Sequence, residues 1–230
     1  GDINIAKKLM DAANATGWNN VKYQKRTPEL AVPEAQKSVP KSTPWGDMTY
    51  LEYKYRVEFE KPEYDIIDAY CKDKGMTWSA SPWDMPSLEF LLQYDIPYIK
   101  IASASNGRDE MIAEAARSGK PIILSTGMTT MDEIDHAVEV LEKYGHGDYI
   151  LMHTNSAYPA PVKDLNMRMI QTLKDRFDCL VGYSGHEENL EPTIAAVVLG
   201  ACCIERHITL SHSMWGSDQK ASLEVHAMDM

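Results

Sequence analysis

LVGYSGHEENLEPTIAAVVLGACCIERHIT, residues 180–209, contains two apolar runs that each end in a histidine, His186 and His207, with one helix-sized segment between them. That spacing is one β/α repeat, so the two runs are expected as neighbouring parallel strands whose carboxyl ends open on the same side of a barrel. A strand rises about 3.3 Å per residue and its neighbour lies about 4.8 Å away, so imidazoles at matched depth can share one ion without distorting the backbone. Two neutral imidazoles held there make a divalent-metal site with an incomplete protein shell. The alternative is one packed and one solvated histidine with no common role.

Working outward, strand-like runs recur at 20–25, 77–81, 98–103, 121–126, 149–154, 180–184 and 201–209. Helical patterns fall at 3–15, 62–74, 87–94, 109–118, 131–144, 165–177 and 190–199. Alternation of this kind implies βαβ units and a parallel sheet. Seven strands with a helix at the start predict an α/β (β/α)8 TIM barrel without its first strand, a fragment whose open sheet edge is expected to leave it weakly stable or inactive. A doubly wound sheet reads alike strand by strand. The connection 27–60 is long and contains PWGDMTYLEYKYRVEF, which reads either as an active-site loop or, over Tyr50–Lys54, as a solvated helix.

The chain has 230 residues, 44% of them hydrophobic and 25% charged, as expected for a single globular domain over residues 1–230. A formal net charge of -11 argues against nucleic acid or an anionic membrane surface as a partner. An anionic substrate must therefore be caught by a local cluster of lysines and N–H groups. Cys71, Cys179, Cys202 and Cys203 show no CxxC spacing and read as buried thiols of a reducing cytoplasm. No apolar run reaches the ~18 residues of a membrane span, and no signal peptide is evident.

Residues two apart on a strand share a face, which groups Lys22 with Gln24, His153 with Asn155, and Glu205 with His207. Inward polar groups are expensive unless paired or used, so their recurrence predicts a polar pocket at the carboxyl mouth. Lys22 and Lys100 read as the strand-embedded lysines, and Ser81, Ser103, Ser125, Ser156 and Ser184 fall at or just past strand ends. Two ammonium groups and a ring of hydroxyls suit a phosphate or carboxylate ligand. Each serine alone is equally well explained as a turn or cap residue.

VKYQKR (21–26), YIKIAS (98–103), KPIILSTGM (120–128), HTNSAYPAP (153–161), GYSGH (182–186), IERHIT (204–209) and MWGSDQKASL (214–223) closely resemble the sialic acid synthase family, in order and over essentially the whole chain. The resemblance implies a transferase that condenses phosphoenolpyruvate with an aldose such as N-acetylmannosamine, giving a nine-carbon acidic sugar of the N-acetylneuraminate type and inorganic phosphate. It implies that Lys22, Ser81, Lys100, Ser103, Ser125, Ser156 and Ser184 hold phosphoenolpyruvate. His186 and His207 would hold manganese or magnesium, while Gln24, Tyr158 and Asp218 contact the sugar. Catalysis would then rest on His186, His207, Lys100 and Lys22. It further implies a cytoplasmic homodimer in the full-length protein, with a small antifreeze-like domain following the barrel. One departure stands out: the family's acidic residue two positions after the KIxS serine is Ser105 here. Rival readings are a Schiff-base or 3-deoxy-heptulosonate-type barrel using Lys100 or Lys22, and a non-catalytic sugar-binding barrel.

Overall fold

The computed structural model describes residues 1–230, which divide into two compact units, Gly1–Pro97 and Tyr98–Met230. In the first, α1 (Ile3–Ala15) is capped by Asp2, whose carboxylate accepts from the N–H groups of Asn4 and Ile5, and it buries Ala6, Met10 and Ala13 along one stripe. Strand β1 (Asn20–Lys25) follows. The long connection then forms α2 (Pro28–Ala31), α3 (Glu34–Lys37), an antiparallel hairpin of β2 (Pro40–Thr43) and β3 (Gly46–Thr49), and α4 (Tyr50–Val57). Helix α4 is closed by a Thr49/Glu52 capping box and buries none of its residues, so the solvated-helix alternative describes its conformation. The hairpin was not expected: Pro40 opens it and Pro44-Trp45 turns it, and such a proline-rich run reads as loop by composition.

Helix α5 (Lys61–Asp73) turns Tyr64, Ile67 and Cys71 inward, and β4 (Thr77–Pro82) pairs parallel with β1 from Asn20↔Thr77 to Lys25↔Pro82. Helix α6 (Met85–Leu91) completes this unit, with Asp84 accepting from the Ser87 N–H at 2.9 Å. Tyr64 is fully buried and centres an aromatic cluster with Tyr23, Phe59, Trp78, Phe90 and Tyr94.

In the second unit β5 (Ile99–Ile101), β6 (Ile122–Ser125), β7 (Tyr149–Thr154), β8 (Leu180–Gly185) and β9 (Ile204–Arg206) pair in sequence order, all parallel, as in half of a barrel. Between them run α7 (Asp109–Arg117), α8 (Met131–Tyr144), α9 (Met169–Phe177) and α10 (Glu191–Val198), with the short α11 (Val225–Met228) near the end. The inner strands are buried on both faces, which is why their sequences are continuous apolar runs rather than alternating ones. Gly182 lies where β7 and β9 close most tightly on β8: a Cβ there would come within 2.4 Å of Met152 Sδ and 2.5 Å of Cys203 Sγ.

All seven expected strands form, β5 and β9 each shortened to three residues. Helix α9 starts at Met169 instead of 165, because a 3-10 turn at Val162–Asp164 and a left-handed Asn166 (φ 48) precede it. The cysteines are free, but only Cys71 is buried; Cys202 is exposed, contrary to expectation, since it precedes β9 instead of lying within it. Burial pushes the Cys71 thiol up to about 11 and Cys203 to about 12. No helix is long and apolar enough to cross a membrane.

Candidate active site

The carboxyl ends of β5 to β9 gather most of the expected polar residues. Lys100, on β5, is 2% exposed and donates to Ser125 Oγ at 2.5 Å; its ammonium also faces Glu205 Oε1 at 3.6 Å. Glu205 in turn accepts from Ser184 Oγ at 3.1 Å, following the register Ser184↔Glu205. Lysine, two serines and a glutamate thus form one connected network across β5, β6, β8 and β9. Glu205 was expected only to share a face with His207; its pairing with Lys100 depends on strand order, which spacing along the chain does not reveal.

Beside this network Gly127 brings its backbone against two hydroxyls. Its N–H donates to Ser103 Oγ at 3.0 Å, and a Cβ at 127 would lie 2.4 Å from Ser156 Oγ and 2.8 Å from Ser103 Oγ. Ser156 Oγ is buried without a hydrogen-bond partner. A buried, unmet hydroxyl beside a glycine backbone is a place prepared for a small polar ligand. An open cavity of about 470 Å³ adjoins Gly127 and Ser156 and runs toward Met131, Asp164 and Met169, while Lys100, Ser125, His186 and His207 lie outside its lining.

The histidines meet as the spacing required. Continuing the β8–β9 register one step beyond Gly185↔Arg206 sets His186 opposite His207, and their ring centroids are 5.3 Å apart. His186 Nδ1 lies 2.6 Å from the carbonyl of Asn155 and donates to it, which leaves the Nε2 lone pair as the acceptor that the Tyr158 hydroxyl meets. Burial holds His186 below the ordinary imidazole range, so it is neutral at pH 7. This tautomer and charge are what a metal ligand needs. Tyr158 stacks on His186 at 4.1 Å, places its hydroxyl 3.0 Å from Nε2, and meets His207 edge-on. Asp218 Oδ2 is 3.8 Å from His207 Nδ1. No group of three His, Cys, Asp or Glu side chains is assembled to hold an ion alone, so small oxygen ligands would have to supply the rest of a shell.

Other expected residues serve differently. His153 Nε2 donates to Leu165 O at 2.6 Å and Asn155 Nδ2 to Asp164 O at 3.1 Å, so both tie down the loop after β7 while also lining the cavity beside Ser156. Ser105 Oγ and both amide atoms of Asn106 are buried and unmet. In residues 1–97, Gln24 pairs with Ser81 in the β1–β4 register, Lys22 stands two residues earlier on the same face, and Ser81 Oγ is buried without a partner. The lysine most buried on β1 is Lys25, not Lys22; it donates to Phe59 O at 2.9 Å and anchors the strand end.

The sequence profile of the NeuB family matches residues 9–230. The chain belongs to that family, the sialic acid synthases. Among NeuB relatives, N-acetylneuraminate-9-phosphate synthase of Drosophila melanogaster is 38% identical over 97% of this chain and 61% of its own length. N,N'-diacetyllegionaminic acid synthase of Campylobacter jejuni is 34% identical over 100% of this chain and 70% of its own. The crystal structure of the N-acetylneuraminic acid synthetase of Leptospira borgpetersenii, in complex with citrate, superposes with a TM-score of 0.90 at 30% identity, covering 100% of this chain and 76% of that one. The chain therefore spans about three fifths of the length of the fly relative.

Proposed function

We propose that this NeuB-family chain carries the catalytic part of a metal-dependent synthase that condenses phosphoenolpyruvate with an acylamino aldose, giving a nine-carbon acidic sugar and phosphate. The observation that carries the reading is the adjacency of two sites with different chemistry: the Lys100, Ser125, Ser103, Ser156 and Gly127 cluster, and the His186–His207 pair. The first matches a phosphorylated carboxylic acid. The Lys100 ammonium stabilises charge that accumulates on the departing phosphate, and buried hydroxyls orient its oxygens without having to be reorganised during reaction.

Glu205 balances Lys100 and fixes the Ser184 hydroxyl. Bound by His186 and His207, manganese or magnesium would act as a Lewis acid toward the sugar aldehyde. Tyr158 and Asp218 flank the histidines, and in this reading they contact that sugar. Lys22, Gln24 and Ser81 enter this reading through the family resemblance alone, as do the homodimer and the cytoplasmic setting. Relatives named for neuraminate and for legionaminate synthesis leave the acceptor to be identified. A Schiff-base aldolase is disfavoured because Lys100 makes the contacts of a cation, with a carboxylate and a hydroxyl as partners.

The test is phosphate release from phosphoenolpyruvate and manganese with a panel of aldoses, including N-acetylmannosamine and its 6-phosphate. Release that needs one sugar, and stops in metal-free buffer or with His186→Ala, establishes the reaction. A borohydride-trapped pyruvate adduct on Lys100 would replace it with the aldolase reading.

A further inference from the structure

Immediately behind the two histidines lies a charged network that the proposed chemistry does not use. Glu187 follows His186 and Arg206 precedes His207, and their side chains are 1% and 0% exposed. Arg206 Nη1 donates to Glu187 Oε1 (3.1 Å), Thr193 Oγ1 (2.8 Å) and Asn189 O (3.2 Å), while Nη2 donates to Glu187 O (2.5 Å). Tyr183 Oη donates to Glu187 Oε2 at 2.8 Å, and Thr193 Oγ1 to Glu187 Oε1 at 3.3 Å. Only Arg206 Nε finds no acceptor. The network touches β8, the loop after it, α10 and β9.

Its place in the ladder suggests its purpose. Backbone pairing between β8 and β9 ends at Gly185↔Arg206, one residue short of the histidines. Past that point no β8–β9 ladder fixes their separation. The His186 carbonyl is held by Ala160 N–H, and the His207 carbonyl by Leu223 N–H, which are ties to two different loops. A buried cross-connection just behind the rings is the Arg206 fork, which grips both the side chain and the main-chain carbonyl of Glu187. The carboxylate lies over Gly185, where a Cβ would come within 2.7 Å of Oε1, so the glycine makes room for it.

Burial of such a pair is poor evidence for stability, because desolvation offsets much of the attraction. A rigid, bidentate tie is better suited to geometry. We propose that Glu187 and Arg206 are positioning residues, a buried strut that sets the spacing of the backbone at His186 and His207 for a shared ligand. The inference rests on the metal reading of that pair but concerns residues that would not touch the ion.

The test replaces the network with apolar groups of similar size, Glu187→Leu and Arg206→Met with Tyr183→Phe and Thr193→Val, so that no side-chain polar atom is stranded. Manganese affinity is measured by titration of the chain with MnCl2 alone, Tm by calorimetry, and the His186–His207 spacing by the NOE between their imidazole protons in the metal-free protein. The expected result is a folded chain with a near-native Tm, manganese binding weaker by about 10- to 100-fold, and a weakened or lost NOE between the two rings. Affinity within about twofold of wild type and an unchanged NOE would overturn the proposal.

Arg206→Lys keeps the charge and loses the fork, and so gives the same decision should the apolar network not fold. About tenfold weaker binding supports the strut, and native affinity rejects it. The NMR readout needs no metal. If wild type itself fails to bind manganese, the metal reading falls, and the NOE between the two imidazoles still decides whether the strut sets their spacing.

Discussion

Lys100 shows how strongly one residue can depend on its surroundings. Its ammonium is almost wholly buried in a chain of net charge -11, yet it lies against Ser125 and a partly exposed Glu205. Lys100→Met removes the cation while Glu205 keeps access to water. The fold should therefore hold within about 1 kcal/mol, while kcat/KM for phosphoenolpyruvate falls by about 100-fold or more; urea unfolding and phosphate-release kinetics check the two halves. His153 and His186 are both depressed by burial from an ordinary value of 6.5. The unfolded chain takes up protons below that value before the folded one does, so their contribution to stability is complete above pH 6.5 and declines as pH falls through the depressed values. Glu58, raised by burial, acts with the opposite sign. Comparing the drop in Tm between pH 7 and pH 5.5 for wild type and for His153→Gln isolates the imidazole, and a shallower drop is expected in the variant. The residue types of this site were readable in the sequence because strands ending in Ser, Lys and His repeat. The Lys100–Glu205 contact was not readable, since it joins positions 105 residues apart whose proximity exists only once β5 to β9 are assembled.

At the scale of elements, two neighbouring features predict opposite phenotypes. The Gly127 backbone is pressed against Ser103 and Ser156, so Gly127→Ala should cost about 1–3 kcal/mol and also weaken phosphoenolpyruvate binding, because the added methyl displaces the hydroxyls. Three residues on, Thr130 and Glu133 close the amino end of α8 in a capping box. Thr130→Ala should cost about 1 kcal/mol and leave KM for phosphoenolpyruvate unchanged. Denaturant midpoints and substrate titration separate the two cases. Most strands and helices were legible because βαβ periodicity is written in apolar runs and caps. The β2–β3 hairpin escaped because its register rests on pairing across Pro44-Trp45 and not on alternation. The start of α9 escaped because Leu165 looks like the first apolar position of a helix, whereas it is buried in a loop and lends its carbonyl to His153.

For the molecule as a whole, the chain divides into two compact units, and the histidine pair belongs to residues 98–230. Manganese at a hundred times its Kd contributes about 2.7 kcal/mol to whatever holds it, so calorimetry should show a rise of about 5–10 °C in Tm, absent in His207→Ala. An unshifted wild-type transition at saturating manganese would count against the metal reading. The α/β class and parallel order were visible from the repeat alone; the division at Pro97 was not, since it follows from packing density rather than composition. The glycines leave a mark of another kind. Gly127, Gly182 and Gly185 are confined by what a side chain would strike, whereas Gly75 and Gly147 adopt positive φ with nothing within 4 Å. Under random drift the first three positions should be nearly frozen and the last two should exchange with asparagine. A saturation-mutagenesis map of this chain would thus pick out Gly127, Gly182 and Gly185 as intolerant positions, even in a screen that selects only for folding.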